Sequence, residues 1–526
     1  MSGRLRGDSL CAQGRIKREN DNSRIEGRLR FLVYQNGRLA DQFVLSAAYM
    51  FGMDMVPLRY VESMTFKNGV IECRRKGDDA AGLALMWPVE GCGTFLLPTT
   101  RLPEREEPYI LNVELARARL MQVTLKREDW ALFEETDKFA DLAHEAQNLF
   151  IESLQYIVTD PARASQLADE ALQKGLQFSD KLSGRYSEQF LSYRLKNKGV
   201  SRHSLGCGVD PALIKDEQYR KLMLDMFSFF TVPVNWGKIE AEKGKYDYSS
   251  IDACMDHLAG KRLAISCGPL LCFEPGMVPA RLLESKAEFE KVREEAYEFI
   301  HKLVTRYGKY VHYWRVISGM NARNCFGFSY EQMIEMTRTA CLAAKAADAK
   351  SRRIVEIVAP WGEYYATDKL TMPPLVYADV VIQSGISFDA FGLQLEFGRD
   401  RTGMHLRDMM QIASRLDCFM PVNKPLHITA TAAPDRSGAG NEDYSRAGQW
   451  KEPWSAALQA EWIEQLYKTL LGRPSVSTIT YSQFADGGGC GWAGSGLVDD
   501  KLCPKKAYQT MGKFQKTILK MLGETK

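Results

Sequence analysis

The feature that most constrains this chain is an alternation that begins after Gly199 and runs to the end. Short apolar, β-forming runs take turns with longer amphipathic ones. The strand candidates are "LGCGV" from Leu205, "FSFFTVPV" from Phe227, "RLAISC" from Arg262 and "VHYWRVI" from Val311. "RIVEIV" from Arg353, "FDAFGLQL" from Phe388, "PLHITA" from Pro425 and "STITYSQ" from Ser477 complete the set. Between them lie stretches such as "KAEFEKVREEAYEFIHKLVTRYG" and "SYEQMIEMTRTACLAAKAADA", whose apolar residues recur at helical spacing. Eight such units over roughly 320 residues fit a (β/α)8 TIM barrel within residues 201–526. An open doubly wound sheet is the alternative, but it expects a phosphate-binding first turn that is missing here.

Upstream the pattern differs. Residues 29–130 read as a β-sandwich of jelly-roll type: "RFLVYQNGR" and "MTFKNGVIE" each set Asn-Gly between β-forming flanks, a strong hairpin signal. "TFLLP" and "YILNVELARARLMQVTL" are further strand candidates there. Residues 131–200 switch to helical period and read as a helical hairpin linker, broken at Asp160-Pro161, where Pro suits the first turn of the second helix. Residues 1–28 have no hydrophobic periodicity and end in Ile25-Glu26-Gly27-Arg28, a protease-site-like tetrapeptide; they read as a disordered extension or a cloning scar.

Composition excludes several classes of function. A formal net charge of +3 on 526 residues is too small for a nucleic-acid footprint or a membrane-steering field. No apolar run is long enough to span a bilayer, and the N-terminus has no signal-peptide core. The twelve cysteines are scattered without a C-x-x-C, as reduced core thiols are, so a cytoplasmic protein without a metal site is expected. The seven histidines show no ligand spacing, and His427, inside a strand, reads as a satisfied core residue. "GCGWAG", Gly489 to Gly494, matches G-x-G-x-x-G but opens no helix, so no nucleotide cofactor is expected from it.

Four motifs carry a resemblance. "NWGKIEAEKGKYDYSSID" from Asn235 resembles the segment after strand two of glycoside hydrolase family 10, the endo-β-1,4-xylanase family. "GISFDAFGLQLEF" from Gly385 is similar to its strand six, "PVNKPLHITATA" from Pro421 to its strand seven, and "CPKKAY" from Cys503 to its terminal x-P-K-P-A-Y. The similarity runs in order from Ser204 to about Leu522. It implies a barrel that handles an oligo- or polysaccharide, without cofactor or metal. The family's strand-four pattern is W-D-V-V-N-E, and Trp314 to Gly319 here reads W-R-V-I-S-G, so Gly319 stands where the resemblance puts the acid/base Glu. Ala430 stands where it puts the nucleophile. A retaining glycosidase needs two carboxyls about 5–5.5 Å apart across the scissile bond. Gly and Ala supply neither proton nor nucleophile, so a carbohydrate-binding pseudoenzyme is expected.

Three carboxylates remain as candidates for relocated chemistry. Glu274 follows strand three, Glu363 follows strand five and Glu396 ends strand six, all on the face that carries chemistry in this fold. Glu363 and Glu396, on neighbouring strands, are expected to face each other across the mouth. The competing role for all three is pairing with arginines such as Arg315, Arg399 or Arg401. Candidate saccharide-binding residues are Gln394, Trp361, Tyr365, Tyr481 and Trp236. Trp361, Tyr364, Tyr365, Trp450, Trp454 and Trp492 fall in or beside the loops after strands five, seven and eight, and one or two of them are expected in a groove. The long polar loop Thr431 to Trp454 reads as a lid or plug over the mouth.

Overall fold

The structure is a computed structural model that describes residues 26–130, 139–487 and 492–523. Its N-terminal region holds two four-stranded sheets. One runs Val61–Lys67, Val70–Lys76, Glu26–Leu32, Tyr109–Ile110; the other runs Tyr49–Phe51, Gly82–Val89, Gly93–Pro98 and then Gln449–Trp450. Asn36-Gly37 and Asn68-Gly69 turn the two expected hairpins, with positive φ at all four residues, the backbone that two-residue hairpin loops require. Phe31 and Ile71 of the first sheet share a core with Leu83, Leu85 and Leu97 of the second.

Two expectations fail in this region. The first strand begins at Glu26, with Gly27 opposite Arg75 and Arg28 opposite Arg74, so residues 26–28 belong to a sheet rather than to an extension. Residues 1–25 lie outside the described residues. The segment read as a strand, "YILNVELARARLMQVTL", is a strand only at Tyr109–Ile110 and then becomes helix α1, Leu111–Asp129. Leu, Ala, Arg, Met and Glu outnumber the β-branched residues there, and Leu111, Leu115 and Ala118 recur at helical spacing on a buried face.

Helices α2, Ala140–Tyr156, and α3, Pro161–Lys196, pack on one another; residues 131–138, part of the expected linker, lie outside the described residues. Asp160 caps α3 by accepting from the Arg163 amide at 3.0 Å, with Pro161 in the first turn. The C-terminal end of α3 is fastened to the barrel by Arg194. Its guanidinium donates to the carbonyls of Gly199, Leu471, Arg473 and Val476 at 2.5–2.9 Å.

Eight parallel strands then close a barrel, here called strands one to eight: Leu205–Gly208, Phe229–Val232, Ala264–Cys267, Tyr313–Ser318, Arg352–Ile357, Ala390–Glu396, Leu426–Ala432 and Val476–Tyr481. Strand three pairs with strand four through Ser266 and Tyr313, and strand one closes the ring on strand eight through Leu205 and Ile479. The strands are almost wholly buried because helices cover their outer faces and inward side chains fill the interior.

The sheets grip the barrel's upper loops. Leu96 donates its amide to the Leu406 carbonyl at 2.9 Å, and Gln411 Nε2 donates to the Leu96 carbonyl at 3.0 Å. Arg119 of α1, 2% exposed, reaches the Asp408 carboxylate, which also caps helix Met409–Asp417. Gln449–Trp450, from the loop after strand seven, pairs with Gly93 and Thr94. The end of that loop is thereby held as a sheet strand, and Glu442, farther back in it, pairs with Arg399 and Arg401 of the segment after strand six.

Candidate functional site

Strand six places the centre of the site. Gln394 and Glu396, two residues apart, share one face of the strand, while Leu393 and Leu395 on the other face are buried. Both polar residues line two neighbouring cavities above the C-terminal ends of the strands. The larger, about 610 Å³, also meets Thr231, Arg315, Ala430 and Ser482. The smaller, about 310 Å³, also meets Glu274, Arg323, Tyr364 and Arg401.

At the floor of the larger one lies a largely buried ion pair. Arg315 of strand four donates to Glu356 of strand five at 3.1 Å and also to the Gly268 carbonyl. Burial pushes the Glu356 carboxyl up, but Arg315, the nearby Ser318 and Thr429 hydroxyls and Arg323 outweigh it, so the group lies below the ordinary glutamate range. Glu396 goes the other way: burial and the neighbouring Glu356 charge raise it, against Ser482, Arg323 and Arg399. Two carboxyls of one site are thus pushed apart in acidity. Arg315 Nε, Glu356 Oε2 and Ser318 Oγ are buried and close no hydrogen bond among the described residues.

Gly319, just past strand four, has φ +68°, and a Cβ built on it would lie 2.8 Å from Arg323 Cδ and 3.1 Å from Val358 Cγ2. An L side chain there is strained in both backbone and contact. Arg323 occupies that side of the mouth, ion-paired to Glu274 at 3.2 Å and donating to Cys272 Sγ at 3.4 Å. Ala430 of strand seven is 8% exposed and lines the larger cavity.

The other candidates scatter. Glu363 does not face Glu396: it is buried in a short helical turn, where it accepts from Arg407 at 2.6 Å beside Tyr49 of the N-terminal sheet. The expected arginine partners also differ, since Arg399 and Arg401 both pair with Glu442. Trp361 is buried beneath Arg407 and edge-on to Phe397. Tyr365 stacks under Arg59 of the N-terminal region, 3.7 Å from ring centroid to guanidinium carbon. Tyr481 is buried and donates to the Ser495 carbonyl, and Trp236 is buried with its indole N–H on Glu240. Large aromatics near the mouth are thus mostly packing and domain contacts. Of the proposed binding residues Gln394 alone lines a cavity at the mouth, and of the six loop aromatics only Tyr364 does. Part of "GCGWAG" lies outside the described residues.

Glu356 and Arg323 were not singled out from the sequence. A signal existed for the first: "RIVEIV" sets Glu356 and "YWRVIS" sets Arg315 between apolar residues in mid-strand, and such charges inside a barrel need each other. Arg323 sits in an irregular turn with no pattern to mark it.

No family model matches the chain, and no curated protein matches it. Solved structures similar to it include xylanase 10B of Thermotoga maritima, at 17% identity and TM-score 0.48, covering 63% of this chain and 98% of that one. A glycoside hydrolase family 10 protein of Paenibacillus barcinonensis has 18% identity and TM-score 0.47, covering 60% and 96%. TsXylA, an intracellular xylanase of Thermoanaerobacterium saccharolyticum, has 13% identity and TM-score 0.45, covering 58% and 94%.

Proposed function

We propose that the barrel mouth recognises an oligosaccharide without hydrolysing it, in a cytoplasmic protein. One observation carries the reading. Polar side chains are set into the largely apolar wall of an open cavity of about 610 Å³, while the two positions that the sequence resemblance assigns to catalysis hold a left-handed glycine walled off by Arg323 and an alanine. Gln394, Thr231 and Ser482 supply donors and acceptors suited to sugar hydroxyls. The cytoplasmic assignment is supported by the described cysteines, all free thiols and six of them buried. Among the described residues no helix is long and apolar enough to cross a membrane.

A second reading has its own support. Glu396 is held in the acid form more readily than Glu356, the relation of a proton donor to an ionised partner, so hydrolysis centred on Glu396 is the alternative. The test separates them. Purified protein is incubated with xylohexaose and followed by saturation-transfer NMR and by reducing-end release. Binding that Gln394→Ala weakens, with no release above buffer, is the expected result. Release that Glu396→Gln abolishes establishes the second reading instead, and absence of any binding removes both.

A further inference from the structure

A second large recess lies at the other end of the barrel. A cavity of about 850 Å³ opens where the strands begin, lined among others by His203, Lys309, His312, Lys350 and Arg352. An adjoining recess of about 370 Å³ shares His203, Lys309 and His312 and adds Lys261 and Arg262. Asp348 is the one carboxylate lining either space, and its Oδ1 accepts from the Lys350 backbone amide at 3.0 Å. Among the described residues none of the five lysines and arginines forms an ion pair; Arg352 donates to the Tyr313 hydroxyl at 3.1 Å. Tyr313 and Thr478 of the lining are backed by His427, which is buried, hydrogen-bonded to Thr478 Oγ1 at 2.7 Å and packed on Tyr313.

Helix termini account for part of this charge. Lys261, Lys309 and Lys350 each follow the C-terminal end of a helix, Ser249–Leu258, Phe289–Tyr307 and Tyr330–Ala347, where a cation is favourable. Arg352, His203 and His312 are not at helix ends, and capping three helices does not hollow out a chamber between them. The positive field is felt inside: burial first, then His203 and Arg352, hold the His312 imidazole below its ordinary range. The volume suits a small molecule rather than a lone ion. Lysines offer point charges, and the Arg352 fork offers paired donors to a tetrahedral oxyanion.

We propose that this basal recess binds the phosphate end of a small phosphorylated molecule, a phosphate monoester or diphosphate, on the face of the barrel opposite the saccharide mouth. The full chain is titrated with inorganic pyrophosphate by calorimetry at low and at physiological salt. Saturable binding that weakens with salt is expected. Reversing two exposed charges, K309E with K350E, weakens it about tenfold or more, which is about 1.4 kcal/mol or more. The pair K513E with K516E, on the last helix, leaves it unchanged, and melting temperatures verify that all variants fold. Vesicles carrying phosphatidylinositol 4-phosphate form a second arm: sedimentation with them that pyrophosphate displaces supports the same phosphate chemistry at a lipid headgroup. The proposal is overturned by absence of saturable pyrophosphate binding below millimolar at low salt, by equal loss in both double variants, or by vesicle binding that pyrophosphate fails to displace.

Discussion

At the mouth of the barrel Arg315 meets Glu356, Arg323 meets Glu274 and Arg407 meets Glu363, whereas at the base Lys309, Lys350 and Arg352 meet no carboxylate among the described residues. For two of the three mouth pairs the contrast follows exposure, while Glu274, the partner of Arg323, is half-exposed. Glu356 is 0% exposed and Arg407 is 2% exposed, and a charge taken that far out of water persists only beside an opposite one. The basal cations sit in water and need no partner to be tolerated. What the difference teaches is where to look for a ligand. At the mouth these three arginines are engaged by carboxylates, while the cations at the base, without ion-pair partners among the described residues, are open to an anion.

The largest expected effect breaks the mouth. Arg315→Met leaves Glu356 ionised and buried without its main partner, and should cost about 3–5 kcal/mol in urea unfolding. A loss under about 1 kcal/mol would mean that Arg323 alone holds the carboxylate, making the pair at strands four and five dispensable. Glu363→Gln comes next. It strands Arg407 at the contact between barrel and N-terminal sheet and should cost about 2 kcal/mol, with loss of cooperativity between the two regions if that contact couples them.

The third prediction uses pH. Glu356 is depressed, so its contribution is present above the unfolded glutamate value and is lost as pH falls through its own lower value. Glu396 is raised, so its effect is favourable below the unfolded value and fades as pH rises through its own higher value. Glu396→Gln should therefore leave stability unchanged or higher at neutral pH and flatten the profile on that side, while the acid-side loss due to Glu356 persists. Thermal melts across pH read both limbs. A variant less stable than the parent at neutral pH would show that the Glu396 carboxylate is held by favourable contacts rather than strained by burial.

How much of this was legible beforehand depended on whether a signal was local. The eight strands were marked by apolar β-branched runs, and the Asn-Gly turns by the backbone that only certain residues adopt easily. Leu111–Asp129 misled because a run of apolar residues that follows directly on the strand Tyr109–Ile110 satisfies either period until its buried face is known. The fate of Glu363 and Trp361 was not local at all. Both are consumed by Arg407, which also reaches Tyr49 of the N-terminal sheet, hundreds of residues away. The loop after strand seven became a sheet strand because Gly93 offered an open edge, which no feature of the loop itself records.

The smallest effect tests the base. Lys309→Ala with Lys350→Ala removes two exposed cations that have no ion-pair partner among the described residues; apart from the weak contact of Lys309 with the Tyr310 ring, 4.6 Å from its centroid, two opposing terms change. Each lysine loses its favourable place at a helix C-terminus, worth about 0.3–1 kcal/mol at low salt. Against that, repulsion within a crowded cationic recess is relieved. The two nearly cancel, and unfolding stability should move by no more than about 0.5 kcal/mol, the range of ordinary surface substitutions. The cancellation depends on salt: screening weakens both terms, so the small difference should shrink further as ionic strength rises. A loss comparable to that of Arg315→Met would make these lysines structural caps, and would dissolve the contrast between the two ends of the barrel.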